Sequence, residues 1–135
     1  MNNSIHPNEF VVDTIGLVLY LEKRKMGSSA SRVFEGIEAG TVNIIVPAMV
    51  FAEILYLSER GRIAVSLAEA DGFFNRFPLC KEQPLTLDVV QSASEITDVP
   101  ELHDRLIAGT ARHLGLDLIT NDGKIQQSAY INTLW

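Results

Sequence analysis

The chain has 135 residues, 47% of them hydrophobic, and a formal net charge of −6. That length suits one domain around one core, and the hydrophobic content is too high for a disordered chain. The negative charge argues against a bulk electrostatic grip on nucleic acid, although an acidic metal site would itself add negative charge, and no apolar run reaches the ~18 residues of a membrane span.

The N-terminal sequence MNNSIHPNEF lacks a basic segment followed by an apolar one, so no secretory leader is expected and a cytoplasmic location is inferred. Phe10-Val11-Val12 reads as a first strand, with Asp13-Thr14 directly after it. Leu17, Val18, Tyr20 and Leu21 suit a helix packed on a sheet, ending near Lys25 with Gly27 helping to stop it. Asp13 is then either that helix's N-cap or a ligand at the carboxyl end of the strand. Residues 28–39 predict a second amphipathic helix with Val33, Phe34 and Ile37 inward. Val42 to Val46 is the clearest strand, apolar on both faces apart from Asn43, as a parallel strand covered by helices should be.

Pro47 suits the first turn of a helix over Ala48 to Glu59. Glu53 breaks its apolar pattern: one turn away lie Met49, Val50, Tyr56 and Leu57. A carboxylate in such company is costly unless it is paired or binds a metal. Ile63 to Phe77 predicts another helix, with Phe73, Phe74 and Phe77 in the core or at a dimer contact rather than forming a base-stacking platform. Leu79 to Gln83 predicts a short strand, and Thr86 to about Thr97 a helix broken by Asp98-Val99-Pro100. Cys80 is the single cysteine; with no partner at disulfide or metal-ligand spacing it reads as a buried thiol. Lys23-Arg24-Lys25, Arg60 and Arg62 are local basic sets, either solvated helix ends or phosphate contacts.

The most informative stretch is Glu101 to Ile125. Ile107, Ala111 and Leu114 recur at helical spacing, Asp104 falls in the first turn, and Gly115 suits the left-handed stop. Leu116 to Thr120 predicts a largely buried strand, and Asp122 lies in the turn Asn121-Asp122-Gly123 just beyond it. Tyr130 to Trp135 suits a last edge strand. His6, His103 and His113 are scattered; His103, beside Asp104, reads as a surface or helix-cap residue, with a substrate contact as the alternative.

Strands separated by helices imply right-handed crossovers and a parallel sheet in one α/β domain over residues 1–135. Ligands in such sheets bind beyond the carboxyl ends of the strands. Asp13, Glu53, Asp104 and Asp122 could converge there, and their repulsion would need protons or a cation to offset it. Mg²⁺ or Mn²⁺ fits an all-oxygen donor set and phosphate substrates, and such an ion could activate water and polarise a phosphodiester. Thr14, Thr120 and Asn121 could orient ligands or water, or bond to nearby backbone. No GxGxxG, GxxxxGK[ST] or GxSxG motif is present, which removes support for dinucleotide, P-loop and hydrolase-elbow chemistry.

In VVDT with Asp13, VPAMVFAEILYL with Glu53, HDRLIAGTARHLGLDLITNDGKI with Asp104 and Asp122, and the tail INTLW, the chain resembles the PIN-domain family, specifically VapC-type toxins of prokaryotic toxin–antitoxin pairs. The resemblance implies a three-layer α/β/α sandwich with a mainly parallel central sheet. It implies a Mg²⁺- or Mn²⁺-dependent endoribonuclease whose metal site is matched by Asp13, Glu53, Asp104 and Asp122. Thr120 matches a small hydroxyl residue before the last acid, and Arg105, in the Asp-Arg pair, reads as structural. A homodimer and a small antitoxin lying across the acidic cleft are also implied. Ile15-Gly16 departs from the polar residue that many relatives carry after Asp-Thr. Two competing readings remain: a PIN-like binding or assembly module without turnover, and a receiver-like phosphotransfer domain, against which the lone Asp13 at the first strand counts.

Overall fold

The computed structural model describes residues 8–135. His6 and most of the stretch read for a leader lie outside the described residues. In chain order the elements are β1 (Glu9–Val12), α1 (Thr14–Leu21), α2 (Ser28–Glu38), β2 (Asn43–Pro47), α3 (Ala48–Glu59), α4 (Leu67–Arg76), β3 (Lys81–Gln83), α5 (Leu87–Ser94), α6 (Leu102–Leu114), β4 (Leu118–Ile119), α7 (Gly123–Gln126) and β5 (Thr133–Leu134). The five strands form one sheet in the order β3-β2-β1-β4-β5, and every pairing is parallel. Register is set by Phe10 opposite Ile44 and Val12 opposite Ile119. The chain steps outward from β1 to β2 and β3, then crosses back to β4 and β5 on the other side. Right-handed crossovers in opposite directions place α1 to α4 on one face and α5 and α6 on the other, the expected three-layer arrangement. Among the described residues no helix is long and apolar enough to cross a membrane.

Apolar side chains on both faces of the central strands explain the core: Val11, Val12, Ile44, Val46, Leu118 and Ile119 are fully buried. Tyr20 stacks on Phe34 with ring centroids 4.3 Å apart, and Phe73 meets Tyr20 edge-on. Phe73 is therefore core, with Phe74 and Phe77 packed beside it. Cys80 is buried as expected, and its Sγ accepts the Ile44 N–H.

Several boundaries differ from expectation for identifiable reasons. α1 stops at Leu21, four residues before Lys25, because Lys23 turns into the left-handed region and the Glu22 carboxylate turns aside to accept the Ala64 and Val65 N–H groups. Gly27 does not stop α1; it is the N-cap of α2. α4 begins at Leu67, not Ile63, because Ser66 and Glu69 form a reciprocal capping box. α5 is shorter than Thr86 to Thr97, with Thr86 as its N-cap. The pairing of β4 covers only Leu118 and Ile119, and α7 is a helix where only a turn was expected.

The tightest helix contact is between α5 and α6. A Cβ on Gly109 would lie 2.6 Å from the Ala93 Cβ and 2.8 and 2.9 Å from the Ala93 backbone. Backbone cannot give way as a flexible side chain can. Gly109→Ala is therefore expected to lower stability by about 2 kcal/mol, although the same exchange on an exposed helix gains up to ~1 kcal/mol. Urea denaturation measures it; a variant as stable as the parent would mean that the two helices separate freely.

Candidate metal centre

β1 lies between strands reached by crossovers in opposite directions, so a crevice opens at the carboxyl ends of β1 and β4. Each acid reaches it by a separate route. Asp13 ends β1 and Asp122 follows β4. Glu53 is in the second turn of α3, which leaves the carboxyl end of β2. Asp104 is in the first turn of α6, and a helix that leads into a parallel strand starts at the carboxyl end of the sheet. One hollow of about 190 Å³ is lined by Asp13, Glu53, Asp104 and Asp122, with Thr14 and Asn121 at the polar side and Ile15, Leu57 and Ile107 as apolar wall. Larger hollows of about 610 and 880 Å³ lie elsewhere; concentration of charge, not size, singles out this one.

The cap and ligand readings of Asp13 are not exclusive. Its Oδ1 accepts the Gly16 N–H at 2.8 Å as the N-cap of α1, while the residue, 6% exposed, walls the hollow. Asp122 repeats the arrangement: its Oδ1 accepts the Lys124 and Ile125 N–H groups and starts α7. Gly16 fits because a Cβ there would stand 2.8 Å from Val12 Cγ2 and 3.0 Å from Asp13 Oδ1. The departure at Ile15-Gly16 thus leaves Asp13 room and puts Ile15 at the mouth.

The hydroxyls hold the acids. Thr14 donates to Glu53, tying α1 to α3. Thr120, fully buried, accepts the Asp122 N–H and hydrogen-bonds the Asp13 carboxylate. Asn121 is exposed at the rim. Arg105 points away from the hollow and donates to the Ala93 and Ser94 carbonyls at the end of α5, the structural part expected of it.

Burial pushes Asp13 from 3.8 up to about 6; the Thr120 and Gly16 hydrogen bonds oppose the rise, and the charges of Asp122 and Asp104 add to it. Asp104 is also pushed up to about 6, by burial and then by Asp122, Glu101 and Glu53, against the pull of His103. Among the described residues the only basic side chain within ion-pair reach of the four acids is the His103 imidazole, 3.9 Å from Glu53 and 3.5 Å from Glu101. The donor set is therefore all oxygen and short of positive charge, which fits a hard divalent cation. No three His, Cys, Asp or Glu side chains among the described residues already form an ion cage; unshielded carboxylates repel, and Glu53 is drawn toward Thr14. Glu101 was not singled out in the sequence. It is the N-cap of α6, accepting the His103 and Asp104 N–H groups, and its charge reaches Asp104. Glutamate is an uncommon N-cap, so only its position before an apolar-periodic segment could have signalled it.

A profile of the PIN domain matches residues 10–129. No curated protein matches the sequence significantly. Among solved structures, the fold is similar to VapBC2 from Rickettsia felis bound to a DNA fragment from its promoter, with a TM-score of 0.71 at 18% identity over 94% of this chain and 98% of that one. DNA-bound VapBC from Salmonella typhimurium gives a TM-score of 0.66 at 16% identity over 93% and 96% of the two chains. FitAcB from Neisseria gonorrhoeae gives 0.61 at 15% identity, with the same coverage. At these identities the likeness is one of fold, and it adds to a profile match that runs from the first strand past the last of the four acids: the chain belongs to the PIN-domain family.

Proposed function

We propose that the protein is a metal-dependent endoribonuclease, with Asp13, Glu53, Asp104 and Asp122 holding Mg²⁺ or Mn²⁺ directly or through water. The observation that carries this reading is Asp13: a buried carboxylate facing Asp104 and Asp122 across a small hollow, with no Lys or Arg ion pair among the described residues. When bound, a divalent cation would lower the pKa of an attacking water and shield charge on the phosphate oxygens. The chain's own groups supply position. Thr120 orients Asp13, Thr14 orients Glu53, and the backbone N–H groups of α1 and α7 fix one oxygen each of Asp13 and Asp122. Asn121 and His103 stand at the rim, where a phosphate or sugar would pass.

The solved neighbours are toxin–antitoxin complexes, and this supports a toxin role with a small antitoxin as partner. A homodimer is part of the same reading; Leu87 and Val90, one turn apart on α5, are 71% and 42% exposed. The test is cleavage of RNA with Mg²⁺ or Mn²⁺, expected to stop on addition of EDTA. A second reading, a PIN-like binding module without turnover, is favoured by the lack of a ready-made ion cage among the described residues. RNA left intact, with no calorimetric response to Mn²⁺, would select it.

A further inference from the structure

We propose that the groove beside the acidic hollow is a nucleobase-stacking subsite built on Tyr56, so that a single RNA strand is held by one unstacked base next to the bond to be cut. The inference rests on the nuclease reading of the hollow. The groove, about 480 Å³, is lined by Met49, Ala52, Glu53, Tyr56, Leu57 and His103. Glu53 and Leu57 also line the acidic hollow, so the two spaces adjoin. Five of the six residues come from α3, where spacings of three and four put Met49, Ala52, Glu53, Tyr56 and Arg60 on one side of the helix.

Tyr56 is 51% exposed although its flank is apolar. The Arg60 guanidinium lies over its ring, 4.2 Å from the centroid, and among the described residues no carboxylate pairs with Arg60. An exposed ring with a cation over it, bordering an apolar trough, is a platform for a flat aromatic group attached to an anionic backbone. Charge favours the same occupant. At a net charge of −6 the molecule offers phosphates little general attraction. A strand led into an acidic pocket therefore needs a grip that does not depend on bulk charge, and stacking is such a grip, tolerant of base identity. Arg60, over one face of the ring, and His103, in the lining of the trough, could then meet flanking phosphates while a base uses the ring's other face.

The probe is a short unstructured oligoribonucleotide read by fluorescence anisotropy in Ca²⁺, alongside the same strand carrying a single abasic residue at each position in turn. Tyr56→Ala is expected to weaken binding of the intact strand roughly tenfold, as removal of a stacking aromatic does, and Tyr56→Phe to restore most of it. One abasic position should cost the parent protein a similar factor and cost Tyr56→Ala nothing further. A circular dichroism melt checks that the half-exposed site tolerates alanine. Unchanged affinity in Tyr56→Ala, or losses that multiply independently, overturns the subsite while leaving the nuclease reading intact. Tyr56→Ala that binds RNA normally but loses a co-expressed protein partner assigns the groove to protein instead. Failure of the parent protein to bind or cut RNA with Mn²⁺ removes the nuclease reading and this inference with it.

Discussion

Asp13→Asn is expected to reduce Mn²⁺-dependent RNA cleavage by roughly 10³-fold while making the metal-free protein more stable at pH 7.5. The two effects have opposite signs because one carboxylate is useful only with a cation beside it. Loss of a charged ligand from a poorly solvated site removes several kcal/mol of transition-state stabilisation, and each ~1.4 kcal/mol is a factor of ten in rate. Without the cation, the native state must ionise a buried acid that Asp122 and Asp104 already oppose. A rise from 3.8 to about 6 corresponds to a native-state cost on the order of 2–3 kcal/mol at neutral pH. Asparagine keeps an oxygen for the Gly16 N–H and removes the charge, so α1 retains its cap. Cleavage assays and urea denaturation of the same preparation report both quantities. An inactive variant that is also less stable than the parent would mean that the carboxylate serves mainly as a cap, and the case for a metal there would fail.

Of the four acids only Glu53 breaks a local rule, interrupting an apolar helix. Asp13 directly after a strand, Asp122 in the turn beyond one and Asp104 in a first helical turn stand where caps and dipoles already favour acids, so it was their place at strand and helix ends that made them legible. Their gathering into one hollow was not legible from spacing alone, since it depends on strand order: only with β1 next to β4, and α6 starting at the carboxyl end, does Asp104 come round to Asp13. Parallel strands, the Ala48 to Glu59 helix and the Gly115 stop followed from periodicity and turn chemistry. What escaped was set by contacts distant in sequence or by short local caps. α1 ended early through Glu22 bonding to Ala64 and Val65. α7 was missed because four residues carry no periodicity, although Asp122 caps it by the same device as Asp13 caps α1. Tyr56 looked like one more apolar neighbour of Glu53; only its exposure and the Arg60 stack mark it out.

Mn²⁺ is expected to stabilise the protein strongly at pH 7.5 and scarcely at pH 5. Asp13 and Asp104 both have native pKa values raised to about 6 from 3.8. Between those values the native state binds more protons than the unfolded chain, so stability falls as pH rises from about 4 to about 6 and stays lower above it. Glu22 and Asp98 are shifted the other way chiefly by backbone N–H donors against a smaller effect of burial, and at Glu101 burial is the largest single effect but is outweighed by the Asp104 and His103 N–H donors together with the remaining favourable contacts. They lose stability only as pH falls below the ordinary carboxylate range, outside this window. The metal-free protein should therefore melt lower at pH 7.5 than at pH 5. A cation in the hollow offsets that difference, because at pH 7.5 it meets ionised ligands and at pH 5 it must displace protons from two of them. At a concentration 100 times its Kd it adds about 2.7 kcal/mol, on the order of 10 °C in Tm for a chain of this length. Thermal melts at both pH values, with and without Mn²⁺, decide the matter. The shift should vanish in Asp13→Asn, whereas an equal shift at both pH values, or one that persists in that variant, would put the cation at some other set of acids.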